Sequence, residues 1–269
     1  MFDFPAVDER LAFALSASRQ AEDLVMSFYG DAALSVELKS DQTPVTAADR
    51  GAEELLRKRI LERFPEDAIL GEEFGETSGT SGFRWILDPV DGTKSFVHQV
   101  PLFGMLIGLQ HQGANVAGIC RLPAIREVVY ASRGKGAWWQ QGDSAPVRAK
   151  VSGKTELKDS LFCYTAVDGF QQIGRTDVLE TLSRQCGLSR GWGDCYGHML
   201  VATGRADLMI DPLLAEWDAC ALIPIVEEAG GVFIDWTGVS TANGGNGISM
   251  TPGLRSQIQT ILANSPEQS

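Results

Sequence analysis

The chain has 269 residues, 44% of them hydrophobic and 22% charged, which suffices for the core of one large domain or two closely packed ones. Its formal net charge of −12 argues against a general role in binding nucleic acid or anionic membrane, since both partners are themselves negative. The longest apolar stretch, over 102–109, is far too short to span a bilayer, and Asp3, Asp8 and Glu9 stand where a secretory leader would be basic and apolar.

Taken in order, Leu11, Ala14, Leu15, Leu24, Val25 and Phe28 recur at helical spacing and predict a helix over 8–29, ended by Gly30. A short strand over 36–39 and a turn over 40–44 follow. Thr46-Ala47-Ala48-Asp49 is a T-x-x-D pattern ahead of a second helix, with Leu55, Leu56, Ile60 and Phe64 facing the core and Pro65 closing it. Asp49 can complete a capping box, serve a site, or do both, because a first-turn carboxylate points out of the helix end. Ala68-Ile69-Leu70 reads as a strand leading into Gly71-Glu72-Glu73, and the Gly, Ser and Thr content of 76–82 predicts a mobile loop.

Trp85-Ile86-Leu87 reads as the end of a buried strand that Asp88-Pro89 should stop, because proline has no N–H for a sheet ladder. Asp88 and Asp91 then flank a turn at Gly92-Thr93. The glycine lets the backbone approach a ligand closely and leaves amides for an anion. Carboxylates beside a phosphate would repel it unless a cation lay between, and Mg²⁺ takes oxygen ligands that phosphate commonly completes. The stretch therefore suggests metal-dependent phosphate chemistry.

Closely spaced strands over 103–109, 116–120, 127–131 and 137–140 predict antiparallel sheet. The Lys, Ser, Gly and Thr content of 150–158 marks a boundary, giving an α+β subdomain over 1–150 and an α/β subdomain over 151–269. Beyond it, strands over 161–164, 207–210 and 232–234 alternate with helices over 175–186, 195–203, 219–229 and 252–262, an α/β pattern. Asp218, opening one of these helices, could by itself be an N-cap. The five cysteines contain no C-x-x-C pair and are odd in number, so reduced thiols in a cytoplasmic protein are expected. His98, His111 and His198 lack the H-E-x-x-H spacing of a zinc hydrolase.

Four ordered pieces carry a resemblance over nearly the whole chain: Val45-Thr46-Ala47-Ala48-Asp49, Gly71-Glu72-Glu73, Trp85-Ile86-Leu87-Asp88-Pro89-Val90-Asp91-Gly92-Thr93, and Trp217-Asp218-Ala219-Cys220-Ala221. Together they resemble the inositol monophosphatase family of metal-dependent phosphatases. The D-x-D-G-T motif of haloacid-dehalogenase-type phosphatases differs, having one residue between its aspartates and lying near the N-terminus. The resemblance implies a layered αβαβα sandwich, a homodimer, and hydrolysis of a phosphate monoester by metal-activated water, with two or three Mg²⁺ per site. It implies that Glu72, Asp88, Thr93 and the Val90 carbonyl hold one cation, and that Asp88, Asp91 and Asp218 hold a second. It makes Thr93 and Asp49 the pair that orients and deprotonates water, with Glu72 beside them, and gives the Gly92 and Thr93 amides to the phosphate. Lys39 matches a family lysine near the site.

Lys94-Ser95-Phe96-Val97 after the aspartate motif, and Gly191-Trp192-Gly193-Asp194-Cys195-Tyr196, resemble the histidinol-phosphatase branch, so L-histidinol phosphate is the expected substrate. Asp194 and Asp211 would complement its ammonium and imidazole, and Trp192 or Tyr196 could stack on the ring. Asp194 also reads as a helix N-cap, and His198 as a packed histidine. Alternatives are an inositol-1-phosphate phosphatase, a 3′(2′),5′-bisphosphate nucleotidase, or an inactive metal-binding regulator on the same fold.

Overall fold

The computed structural model describes residues 4–31, 35–38 and 44–265. The first helix, α1 (Phe4–Phe28), and the pair β1 (Val36–Leu38) and β2 (Pro44–Thr46) precede α2 (Ala47–Arg63). Small residues Ala14, Ala17 and Ala21 let α1 lie close to Ala48, Ala52 and Leu56 of α2. As the T-x-x-D pattern requires, Thr46 Oγ1 accepts from the Ala48 amide at 3.1 Å and Asp49 Oδ2 accepts from the Thr46 amide at 2.8 Å.

Next come β3 (Ala68–Gly71), β4 (Gly75–Thr77), β5 (Phe83–Asp91), the short α3 (Thr93–Val97), and β6 (Gly104–His111). A meander of β7 (Ala114–Leu122), β8 (Glu127–Ser132), β9 (Gly136–Gln141) and β10 (Val147–Arg148) completes an 8-stranded sheet ordered β10-β9-β8-β7-β6-β5-β3-β4. It is antiparallel, as the strand spacing predicts, except where β3 runs parallel to β5.

The second half supplies β11 (Leu161–Tyr164), α4 (Val167–Gln172), α5 (Thr176–Gln185), β12 (Leu188–Arg190), α6 (Asp194–Ala202) and β13 (Leu208–Asp211). It ends with α7 (Glu216–Glu228), β14 (Val232–Ile234), β15 (Gly247–Met250) and α8 (Arg255–Ala263). Its 5-stranded sheet is ordered β12-β11-β13-β15-β14. Of these elements α4, β12 and β15 escape the sequence pattern, being short.

Three apolar clusters bind the layers. In one, α1 and α2 cover the outer face of the large sheet through Leu56, Ile60, Trp85, Leu87 and Ile107. In the second, α6 and α7 lie between the sheets, with Met199, Leu222 and Ile223 against Ile86, Leu106 and Val129 on one side and Met209 and Phe233 on the other. In the third, α5 and α8 cover the small sheet through Val178, Leu182 and Ile258 against Phe162, Leu208 and Ile248. Alternation along β5 sends Trp85 and Leu87 to one cluster and Ile86 to the next, which is why the strand reads as continuously apolar. The result is helix, sheet, helix, sheet, helix: an α/β layered sandwich. Among the described residues no helix is long and apolar enough to cross a membrane, and all five cysteines are free and buried.

Two local expectations need correction. Pro89 does not end β5, which continues to Asp91. Asp88 pairs with Leu106 and Asp91 with Gly104, so β5 carries one extra residue, and Pro89 sits in that bulge where no ladder N–H is required. The stretch 76–82 is not simply a loop either. Its start belongs to β4, paired with β3, and the amides of Thr80 and Ser81 both donate to the Glu66 carbonyl.

Candidate active site

The acidic residues collect because strand ends and helix starts converge. Glu72 follows β3, Asp88 and Asp91 sit at the bulged end of β5, and Asp211 ends β13. Asp49, Asp194 and Asp218 lie in the first turns of α2, α6 and α7, where amides and the helix dipole favour carboxylates. A cavity of about 530 Å³ opens between them, lined by Glu72, Asp88, Val90, Asp91, Gly92, Thr93, Asp194, Asp211 and Asp218.

Asp88 is only 2% exposed, and its Oδ1 accepts from the Val90 amide at 3.0 Å across the bulge. Asp91 Oδ2 accepts from the Cys195 amide at 2.6 Å. Asp218 is not an N-cap: it is the third residue of α7, and its Oδ2 accepts from the Ala215 amide at 2.7 Å. One oxygen each of Asp88, Asp91 and Asp218 lie within 4.8 Å of one another. Burial, and then the charges of Glu72, Asp91 and Asp218, push the Asp88 carboxyl well above the ordinary range. Burial and neighbouring carboxylates push Asp91 and Asp218 up to about 7. Among the described residues no Lys or Arg forms an ion pair with these three aspartates. Clustered oxygen donors of like charge fit a hard divalent cation, and among the described residues the group holds carboxylates alone, with no thiolate or imidazole as in zinc centres.

Thr93 begins α3 directly after Gly92, whose φ of +78° turns the chain sharply out of β5. Its Oγ1 donates to the Val90 carbonyl at 3.0 Å and lies 3.3 Å from Asp49 Oδ1. Asp49 is 1% exposed, and burial raises its carboxyl despite opposing hydrogen bonds from Thr46. One oxygen therefore completes the capping box of α2 while the other faces Thr93.

At the other end of the cavity, the Asp194 amide donates to Thr165 Oγ1 at 3.0 Å, and that hydroxyl donates to Asp211 Oδ2 at 2.8 Å. Asp194 is not the N-cap of α6; it is the first helical residue, held at φ +53°, an uncommon conformation for a residue with a Cβ. That twist turns its carboxylate toward Gly92, where a Cβ would come within 3.0 Å of Oδ2. Burial and Asp91 push Asp194 up to about 7, partly opposed by Lys94, while burial and Asp194 raise Asp211 well above normal. Thr165 was not singled out in the sequence, although a polar residue just past a strand's carboxyl end is a usable signal in an α/β sheet.

Lys39 lies outside the described residues. Trp192 is 37% exposed and Tyr196 packs against the central core, and neither lines the cavity; the aromatic that does is Trp217. His198 is a packed residue as expected, fully buried with Nδ1 2.7 Å from Ser249 Oγ, and burial pushes it down to about 3.

Comparison with known proteins places this geometry. The model of the inositol monophosphatase family matches residues 6–267. A histidinol-phosphatase of Chlorobaculum parvum is 43% identical over 88% of this chain and 90% of its own length. One of Mycobacterium tuberculosis is 34% identical over 94% and 97%. Among solved structures, the extragenic suppressor protein suhB of Bartonella henselae superposes with a TM-score of 0.86 at 28% identity, over 96% of this chain and 100% of that one. With the fold, the ordered motifs and the carboxylate cavity all in agreement, the chain belongs to the inositol monophosphatase family and is a phosphoric monoester hydrolase.

Proposed function

We propose that the protein hydrolyses L-histidinol phosphate to L-histidinol and phosphate with Mg²⁺, as a step of histidine biosynthesis in the cytoplasm. The observation that carries the substrate assignment is the presence of Asp194 and Asp211 in the cavity lining, bridged by Thr165, since their carboxyl groups suit a cationic alcohol. The histidinol-phosphatase relatives at 43% and 34% identity support it.

In this reading Glu72, Asp88, Thr93 and the Val90 carbonyl would hold one cation, and Asp88, Asp91 and Asp218 would hold a second. Bound there, the cations would activate a water and stabilise the leaving oxygen of an in-line displacement. The chain's own residues do the rest. The Gly92 and Thr93 amides at the turn hold phosphate oxygens. Thr93 Oγ1 orients the attacking water, and Asp49 Oδ1, 3.3 Å behind it, receives the proton. Burial raises Asp49, which makes it a better base than a solvated aspartate. Residues 1–150 form the metal-binding subdomain and 151–269 the subdomain that adds Asp218 and the substrate contacts. This division is supported by the two sheets falling on either side of it. The protein acts as a homodimer, testable by light scattering.

The deciding experiment measures phosphate release from L-histidinol phosphate, inositol 1-phosphate and adenosine 3′,5′-bisphosphate side by side with Mg²⁺. A preference in kcat/KM for histidinol phosphate of about tenfold or more is expected. A preference for inositol phosphate or the bisphosphate would overturn the assignment.

A further inference from the structure

Helix α2 carries more than Asp49. Glu53 and Arg57 follow at four-residue intervals, so the three share one helix face. Glu53 is 0% exposed and is not among the residues lining the cavity. Its Oε2 accepts from the Glu73 amide at 2.8 Å, and its Oε1 accepts from the Phe74 amide at 3.2 Å and from Arg57 Nε at 2.7 Å. Arg57 in turn donates to Thr77 Oγ1 at 3.1 Å and to the Gly75 carbonyl. On the other side of the turn, a Cβ at Gly71 would collide with the Glu53 carboxylate. The Glu72 amide donates to the Leu87 carbonyl of β5 at 3.1 Å. Glu72 is thus tied at its own amide to the strand bearing Asp88, and through the two residues after it to the helix bearing Asp49.

We propose that Glu53 is a positioning residue for the cation site: it clamps the turn over residues 71–74 to α2, so that the Glu72 carboxylate is held in register with Asp88 before any cation arrives. A buried carboxylate with its partners satisfied is a rigid strut, because moving it strands an ion or leaves amides unpaired. Glutamine at this position keeps the shape but fails chemically. Its NH₂ would face either the Glu73 N–H or the Phe74 N–H together with the Arg57 guanidinium, all donors. The inference rests on the proposed role of Glu72 as a ligand.

The test uses Mn²⁺ as probe, counting free ion by electron paramagnetic resonance with no substrate present, on wild type, Glu53→Gln, Glu72→Gln and Ile60→Val. Ile60, further along α2 and 1% exposed, reports general loosening of the helix. Glu53→Gln should remain folded by circular dichroism and raise the Mn²⁺ dissociation constant about tenfold, the lower end of what losing an outer support costs a metal site. Ile60→Val should lower the Tm and leave Mn²⁺ affinity within twofold. Mn²⁺ affinity within twofold of wild type in folded Glu53→Gln, with Glu72→Gln weakened, overturns the positioning role alone. Unchanged affinity in Glu72→Gln overturns the ligand assignment beneath it. Equal weakening in Ile60→Val reduces Glu53 to a structural residue. Should Glu53→Gln fail to fold, Arg57→Lys keeps the charge but not the fork of donors. The same measurement is then expected to show a smaller loss in the same direction, and no loss there overturns the proposal.

Discussion

Asp88, Asp91 and Asp218 sit where the fold would be more stable without their charges. Asp91 and Asp218 are pushed up to about 7 in the folded protein, against roughly 3.9 for an unfolded aspartate. Between those values the folded state binds more protons than the unfolded one, so stability of the metal-free protein falls as pH rises from about 4 to about 7. In chelator, the Tm at pH 5.5 should therefore exceed that at pH 8, and saturating Mg²⁺ should narrow or reverse the difference, read by differential scanning fluorimetry. Protons and cations compete for the same oxygens, so Mg²⁺ affinity should weaken as pH falls below about 7. By the same logic Asp218→Asn should raise the metal-free Tm at pH 8 while lowering phosphatase activity about 100-fold or more, a trade of function for stability.

Elements decide which way each side chain faces. Thr46 caps α2 and also donates from Oγ1 to Asp49 Oδ2 at 2.6 Å, leaving Oδ1 for Thr93. Thr46→Val keeps the shape and the backbone donor but loses the hydroxyl. It should cost about 1 kcal/mol in urea unfolding and lower kcat more than it changes KM, because Asp49 would swing while the phosphate contacts stay. The capping box was legible in Thr46-Ala47-Ala48-Asp49, since it is made within one turn. The course of β5 through Pro89 was not, because a bulge is defined by the partner strand and Gly104 lies far along the chain. Asp194 followed the same rule. A helix start was visible around it, but its left-handed backbone goes with an amide bond to Thr165, 29 residues earlier in the chain, which no local pattern contains.

For the whole molecule, the decisive quantity is how deeply α7 lies on the large sheet. A Cβ at Gly118 of β7 would collide with the Ala221 carbonyl, and one at Gly108 of β6 with Cys220 Sγ, so the helix rests on bare backbone. That depth carries Asp218 to Asp88 and Asp91. Gly118→Ala should lift α7, cost about 1–3 kcal/mol by overpacking, and reduce kcat/KM although the residue lies outside the cavity, as chemical denaturation and steady-state kinetics would show. The sequence by itself determined the α/β class, most helices and strands, and the ordered acidic motifs, because periodicity and turn chemistry are local and each motif is contiguous. Only the tertiary structure decided which carboxylates meet, that Trp217 rather than Trp192 or Tyr196 lines the cavity, and that the buried Glu53 braces the turn after Glu72. These are contacts between distant segments, such as Asp91 with the Cys195 amide, and they exist only once the sheets and helices have packed.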